Sequence, residues 1–225
     1  MTLQNIWLVS DTHINHANII KYCDRPFSDV NVMNEEIVAA WNKAVQDDDI
    51  IVHTGDFTIA RRPSQLGLKT LELIASLKGR KVLVYGNHDS KHFQQHLKSL
   101  GWCVMPEILG DGFRIIHSPY KPRTRELYDD NLVTIHGHSH GSLGLNTAQR
   151  IDVGIDVFKY RPVNLTDIVS KELYYKIMHK ITNLYAKEMG CLGVIFDTVV
   201  MCGELYGTTE RVYCSESCWE NAKGK

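Results

Sequence analysis

The sequence lacks any run of about 18 apolar residues, the length that a helix needs to cross a bilayer. Its first residues, MTLQNIWLVSDTH, contain no basic segment and reach Asp11 early, so they do not resemble a secretory signal. It also lacks a surplus of positive charge, because 25 Lys and Arg stand against 26 Asp and Glu. These absences predict a soluble cytoplasmic protein with no membrane partner, and they exclude a strongly basic nucleic-acid coat.

Histidine, in contrast, is frequent, with 11 in 225 residues. The six cysteines are unevenly spread, and four of them come at residue 191 or later. Without an export signal, these cysteines are predicted to be reduced thiols or metal ligands rather than disulfides.

Up to about residue 165 the chain alternates short apolar runs with helical patterns, which predicts an α/β layered domain over residues 1–165. The predicted strands are residues 6–10, 50–53, 81–85, 113–117, 132–136 and 151–157. The predicted helices are residues 30–45 and 65–77. A helical connection over residues 166–189 then leads to a small Cys-rich module over residues 190–225.

Polar residues that can bind a metal follow five of the predicted strands. They are Asp11 and His13 in DTH, Asp56 in TGDF, Asn87 and His88 in GNHD, His117 after FRII, and His138 and His140 in HGHSH. Taken alone, any one of these turns is better explained as ordinary polar surface residues than as a metal site. Ligands gather at the carboxyl ends of strands in open α/β sheets, so five such turns together predict a metal centre.

In this order the five motifs resemble the calcineurin-like metallophosphoesterases, and the resemblance covers about residues 5–165. The runs HANIIKYCDRPFSDV, HSPY and DVGIDVFKYRPV are most similar to the small prokaryotic and phage phosphoesterases. The resemblance implies a four-layer α/β/β/α sandwich. It also implies a hydrolase that acts on phosphoric ester bonds, either a phosphodiesterase or a phosphatase.

The resemblance further implies two divalent metal ions, each with its own ligands. One metal would be bound by Asp11, His13 and His140, the other by Asn87, His117 and His138, and Asp56 would bridge both. Nitrogen and oxygen ligands of this kind suit Mn, Fe, Co, Ni or Zn. His88 would bind no metal and would act as the proton donor.

The implied reaction is in-line attack on phosphorus by a metal-bridging hydroxide, with His88 protonating the leaving group. The expected substrates are phosphate mono- or diesters, such as a nucleotide, a cyclic nucleotide or a nucleic-acid end. The sequence GDFTIARR differs from the GDxVDRG motif of protein phosphatases, which disfavours a phosphoprotein. The alternative is a metal-binding scaffold that keeps the fold and docks a partner through its Cys-rich tail. None of these motifs specifies an oligomeric state.

Cationic side chains near the motifs are candidate phosphate contacts, with solvated surface charge as the alternative. Arg61, Lys121 and Arg123 are the predicted substrate-binding residues, and Arg25, Arg62, Arg125 and Arg161 are further candidates. His16 and His53 are candidates for contacts around the site. His136 is predicted to be a strand residue beside the ligands, and His92, His96 and His179 are predicted to lie on helix surfaces.

The segment CGELYGTTERVYCSESCW resembles half of a treble-clef or zinc-ribbon module. The candidate ligands of a structural zinc ion are Cys191, Cys202, Cys214 and Cys218. Val199 stands where the first knuckle would carry a cysteine. The alternative is therefore a reduced-cysteine hairpin without zinc.

Overall fold

The computed structural model describes residues 5–128 and 130–189. The chain divides into two units, with the boundary after Ser170. The Cys-rich module predicted for residues 190–225, with its candidate zinc ligands, lies outside the described residues.

The first unit contains all the described strands. They are β1 (Ile6–Val9), β2 (Ile50–His53), β3 (Arg80–Val84), β4 (Cys103–Met105), β5 (Glu107–Gly110), β6 (Phe113–Ile116), β7 (Val133–His136), β8 (Arg150–Asp152) and β9 (Val163–Asn164). The helices of this unit are α1 (Ala17–Tyr22), α2 (Val30–Ala44), α3 (Gly67–Ala75) and α4 (Lys91–Ser99). Pro63–Gln65 and Leu165–Asp167 form short 3-10 helices.

The strands form two sheets. The first has the order β4-β3-β2-β1-β9, and the second has the order β5-β6-β7-β8. Strands β1 to β4 are parallel, as are β6 to β8, while β9 and β5 pair antiparallel at the sheet edges. The predicted fold class is confirmed as a mixed α/β fold with two sheets flanked by helices.

Helix α2 illustrates how the sequence builds a helical layer. Asp29 caps it by accepting hydrogen bonds from the backbone N–H groups of Asn31 and Val32. Met33, Ile37 and Trp41 repeat every four residues and are fully buried on one face. The Nε1–H of Trp41 donates to the carbonyl of Lys78 at 3.0 Å, so the buried indole keeps a hydrogen-bond partner.

One predicted strand is wrong, namely residues 151–157. The alternating sequence IDVGIDV forms only the short strand β8, because the Asp152 carboxylate accepts from the N–H of Gly154 at 2.7 Å and turns the chain. The backbone of Val157 then bonds back to Gly154, and Lys159 and Tyr160 adopt positive φ. This turn places Asp156 beside the motif loops instead of in a sheet.

The remaining strand predictions agree with the structure to within about one residue at each end. The predicted helix at residues 65–77 is shorter, because Gln65 belongs to the preceding 3-10 helix. In the second unit, the structure places helix α5 (Lys171–Glu188) within the predicted connection at residues 166–189. No helix among the described residues is long and apolar enough to cross a membrane.

One backbone link joins the carboxyl ends of the two sheets, and a second joins the loops of two neighbouring strands within the second sheet. Ser10, directly after β1, forms a parallel bridge with Gly154, which follows β8. The N–H of Gly137, after β7, donates to the carbonyl of His117, after β6, at 3.0 Å. The loops that follow β1, β2, β3, β6 and β7 therefore meet at one edge of the fold.

Candidate metal centre

The backbone at this edge is strained. Positive φ angles occur at five of the seven predicted ligands: Asp11 (56°), His13 (49°), Asp56 (55°), His138 (69°) and His140 (47°). Residues with a Cβ rarely adopt this left-handed region, and they remain there only when surrounding contacts enforce it. The loops are thus shaped to present these side chains.

The first cluster consists of Asp11, His13 and His140. One potential ligand atom from each residue lies within 4.8 Å of the other two. The Nε2 atom of His140 is 3.7 Å from Oδ1 of Asp11, and the rings of His13 and His140 stack with their centroids 5.2 Å apart.

The second cluster consists of Asp56, His117 and His138, whose potential ligand atoms also lie within 4.8 Å of one another. The Nε2 atom of His117 is 3.2 Å from Oδ2 of Asp56 and 3.2 Å from Nδ1 of His138. The Oδ1 atom of Asn87 is also 3.2 Å from Nε2 of His117. Two imidazoles, a carboxylate and a neutral amide oxygen therefore converge on one point.

Asp56 lies between the two clusters. Its Oδ2 atom is 4.0 Å from Nε2 of His13 in the first cluster and 3.2 Å from Nε2 of His117 in the second. Its Oδ1 atom accepts the backbone N–H of His88 at 2.9 Å. A single carboxylate can thus face both clusters while its loop stays fixed to the GNHD loop.

The side chains present fit a pair of bound cations. The Nε2 atom of His13 is buried and has no hydrogen-bond partner within the described part of the chain, an arrangement that costs free energy unless a cation binds there. The Nδ1 atom of His117 lies 2.8 Å from the carbonyl of Thr54, so Nδ1 carries a proton and Nε2 is the ring nitrogen that a cation could bind in exchange for its proton.

Burial and neighbouring charges set the ionisation of these groups. Burial lowers the pKa of His13 to about 2 and raises the pKa of Asp11 to about 6. Burial also opposes the charge on His117, but its hydrogen bond to Asp56 and the charge of Asp11 outweigh this and raise its pKa to about 9. Burial would raise the pKa of Asp56 too, but the His117 contact holds that pKa below its usual range.

The sequence interpretation missed Asp156, which orients His140. Its Oδ2 atom is 2.7 Å from Nδ1 of His140, which leaves Nε2 of that ring to face Asp11. A carboxylate behind a histidine fixes the tautomer and the direction of the ring in many metal sites. The only signal was the acidic residue in IDVGIDV, which the alternating pattern assigned to a strand.

Arg25 was a candidate phosphate contact, and the structure places it inside the protein. Its guanidinium is buried and pairs with Asp156 through Nε at 2.8 Å and Nη2 at 2.9 Å. It also donates to the backbone carbonyls of Asp11 at 2.7 Å and Thr12 at 3.1 Å. Arg25 therefore holds the DTH loop against Asp156 and is not available to a substrate.

Two further buried carboxylates support the loops. Asp89, the last residue of GNHD, accepts the backbone N–H groups of Asp56, Phe57 and Gly86 at 2.8 to 2.9 Å. Asp152 accepts from the Ser139 hydroxyl at 2.5 Å and from the N–H of Gly141 at 2.9 Å. These carboxylates fix the positions of the neighbouring ligand loops.

His53 has a comparable supporting place. Its ring is fully buried, and its Nδ1 accepts the N–H of Gly55 at 3.1 Å, so Nε2 carries the proton toward the Thr12 hydroxyl at 2.9 Å. Burial lowers the pKa of His53 to about 3, which keeps the ring neutral. The ring thus joins the loops after β1 and β2.

Gly137 is required by the closeness of two loops. A Cβ atom at this position would collide with the Ser10 hydroxyl and with Oδ2 of Asp11. The backbone N–H of the next residue, His138, donates to both carboxylate oxygens of Asp11, at 2.9 and 3.1 Å. Only glycine allows the HGHSH loop to come this close.

A pocket of about 510 Å³ opens above the two clusters. Its lining residues are His13, His16, Ile19, Tyr22, Asp56, Ile59, His88, His138 and His140. The side chain of His88 is 46% exposed there, in contrast to the buried His13 and Asp56. The predicted substrate contacts Arg61, Lys121 and Arg123 are not among these lining residues.

The other predicted histidines fall in several environments. His16 lines the pocket, with its Nδ1 atom 3.2 Å from Nδ1 of His13. His136 is buried at the end of β7, while His92 is exposed on α4. His96, on α4, and His179, on α5, are partly buried.

Comparison with known proteins gives a family match and several relatives. Residues 5–153 match the family described as "Calcineurin-like phosphoesterase superfamily domain". The uncharacterized protein MJ1445 of Methanocaldococcus jannaschii is 36% identical over 190 residues, which are 82% of this chain and 100% of that protein. The matched residues include all five motif loops.

Two further proteins are informative. The glycerophosphodiester phosphodiesterase GpdQ of Enterobacter lignolyticus is 30% identical over 163 residues, which are 68% of this chain and 55% of that protein. The crystal structure of AQ665 from Aquifex aeolicus, a protein of unknown function, has a TM-score of 0.54 and 25% identity. That match covers 73% of this chain and 97% of AQ665.

Proposed function

The chain belongs to the calcineurin-like phosphoesterase superfamily, and on that basis we propose that it hydrolyses phosphate mono- or diesters at a centre of two divalent cations. Membership makes the chain a hydrolase of phosphoric esters, in a family that uses divalent metals. The dinuclear centre, the roles of its residues and the substrates are the proposal. The observation that carries it is the position of Asp56, which belongs to the second cluster and also lies 4.0 Å from Nε2 of His13 in the first.

In this proposal each cluster binds one cation. Asp11, His13 and His140 bind the first, Asn87, His117 and His138 bind the second, and Asp56 is shared. The unpartnered Nε2 atom of His13 supports the first assignment. The mixture of imidazole, carboxylate and amide ligands suits Mn, Fe, Co, Ni or Zn. When bound, such a pair of cations activates a water molecule near neutral pH and neutralises charge on the phosphoryl oxygens.

The protein's own groups would bind, orient and protonate the substrate. His88 projects into the open pocket, with its Nε2 atom 3.8 Å from Oδ2 of Asp56. Its backbone is fixed by the hydrogen bond from its N–H to Oδ1 of Asp56. A histidine in this place can reach the oxygen of a leaving group above the clusters and protonate it.

Nucleotides, cyclic nucleotides and nucleic-acid ends are the proposed substrates, in a cytoplasmic location. The relative GpdQ, which is named a glycerophosphodiester phosphodiesterase, supports phosphodiesters among these substrates. A structural zinc ion bound by the cysteines beyond residue 190 also stays a proposal, with Cys191, Cys202, Cys214 and Cys218 as its ligands.

The direct test is metal-dependent hydrolysis by the purified full chain. Chelator-treated protein would be assayed on bis(p-nitrophenyl) phosphate and p-nitrophenyl phosphate before and after addition of Mn²⁺, with elemental analysis of metals per chain. We expect hydrolysis of at least one of these two substrates, and only after metal has been added. A screen of nucleotides and nucleic-acid ends would then identify the preferred substrate. No turnover of either substrate by protein with two bound metals would refute the proposal and favour a metal-binding scaffold.

A further inference from the structure

The pocket over the metal centre has a wall of apolar side chains. Ile19, Tyr22 and Ile59 line it together with the histidines and Asp56. Tyr22 is 72% exposed and Ile59 is 40% exposed, so the described residues leave much of both side chains uncovered. Exposed apolar side chains beside a polar site mark a surface that a ligand can cover.

Helix α1 contributes part of this wall. His16, Ile19 and Tyr22 are spaced by three residues, a spacing that puts successive side chains on one face of a helix. The rings of His16 and Tyr22 meet edge to face with their centroids 6.2 Å apart. Ile59 comes from a different segment, the loop after β2, so two parts of the chain form the wall.

Within the part of the chain that the structure describes, no lysine or arginine lines the same pocket. Arg25, three residues after Tyr22, is buried and pairs with Asp156 and backbone carbonyls. Arg61, two residues after Ile59, is exposed but does not line the pocket. A phosphate monoester carries a second negative charge near neutral pH. Proteins commonly bind such doubly charged groups through the N–H donors of arginine or lysine. A diester carries one charge and has a second organic group that needs a place to bind.

We propose that this enzyme selects phosphodiesters whose organic group carries an aromatic ring, and that Tyr22 and Ile59 bind this ring as a specificity-determining wall. The aromatic ring would stack on Tyr22 and cover the exposed face of Ile59. Aryl phosphodiesters and nucleoside phosphodiesters are the substrate classes with such a group. This inference rests on the proposed phosphoesterase function.

Binding is tested first, in full-length His88→Ala protein, in which turnover should be slow. Calorimetry on this metal-supplemented protein would compare diphenyl phosphate with dimethyl phosphate, which share the charge and differ in the aromatic groups. We expect diphenyl phosphate to bind about tenfold more tightly, Tyr22→Ala added to this protein to remove most of that difference, and Tyr22→Phe to keep it. Leu68→Ala is the matched control, because Leu68 is 80% exposed on α3 and does not line the pocket. The same diphenyl preference with and without Tyr22→Ala would overturn the role of the wall.

Catalysis separates this inference from the proposed function. We expect kcat/KM for bis(p-nitrophenyl) phosphate to exceed that for p-nitrophenyl phosphate, and Tyr22→Ala to raise KM for the diester about tenfold. Faster hydrolysis of the monoester would overturn diester selection while leaving the phosphoesterase function intact. Hydrolysis of neither substrate by the metal-loaded protein would refute the phosphoesterase function itself.

Discussion

Arg25 and Asp156 form a two-point ion pair between positions 131 residues apart in the sequence, with N–O distances of 2.8 and 2.9 Å. The same Asp156 oxygen that binds Nη2 of Arg25 also lies 2.7 Å from Nδ1 of His140. The pair therefore connects the loop after α1 and the DTH loop with the histidine that faces Asp11.

Arg25→Met should destabilise the fold. It leaves the buried carboxylate of Asp156 without its cation and the carbonyls of Asp11 and Thr12 without donors. Loss of one partner from a buried ion pair lowers the free energy of unfolding by about 3–5 kcal/mol. Urea unfolding of metal-free protein measures this loss, and Arg123→Met, an exposed change, should be nearly neutral. Equal stability of the two variants would contradict a supporting role for Arg25.

Asp156→Asn should weaken metal binding more than it disturbs the fold. Asparagine keeps the size of the side chain but removes the charge that faces His140. Loss of such a partner behind a metal-binding histidine typically lowers metal affinity about 10- to 100-fold. Competition with a chromophoric chelator measures the affinity, and circular dichroism verifies that the variant is folded. Asp47→Asn, at an exposed position, is the control; unchanged affinity in Asp156→Asn would argue against the orienting role.

Asp56→Asn should reduce the number of metals bound per chain. Asparagine removes a carboxylate that faces both clusters, at 3.2 Å from Nε2 of His117 and 4.0 Å from Nε2 of His13. Elemental analysis after dialysis against metal-free buffer provides the count. A variant that still holds two metals per chain would show that Asp56 does not bridge them.

His88→Ala should lower kcat roughly 100- to 10,000-fold, the usual contribution of a positioned general acid. Metal content should stay nearly unchanged, because the exposed His88 ring belongs to neither cluster of potential ligands. Steady-state kinetics and elemental analysis on the same preparation separate the two effects. His92→Ala changes an exposed histidine on α4 and should leave kcat unaltered. Full activity in His88→Ala would eliminate the proton-donor role.

The seven predicted ligands illustrate how much the sequence reveals of the site. Their residue types can bind metals, and their positions follow strands, so a parallel sheet brings them to one edge wherever the strands are predicted correctly. The prediction needs only local patterns: an apolar run followed by a short polar motif. The structure brings these residues into two clusters, as at Asp11 with His13 and at His117 with His138.

The supporting residues could not be found in this way. Asp89 and Asp156 act through hydrogen bonds to groups far away in sequence, such as Phe57 and Arg25, and no local pattern distinguishes them from surface carboxylates. Arg25 could not be assigned from the sequence either, because an arginine near a phosphate motif is equally compatible with a substrate contact and with a buried ion pair. In the structure Arg25 is buried, which identifies it as part of an ion pair.

The fold class and the phosphoesterase family could both be predicted from the sequence, because strand patterns and side-chain types are local properties. Tertiary structure decided which carboxylates hold the ligands, and it turned residues 153–157 from a predicted strand into a loop that carries Asp156 to His140. It also decided that Tyr22 and Ile59 line one pocket, to which the described residues contribute no lysine or arginine. These outcomes depend on contacts between distant segments, which form only when both sheets and their loops are in place.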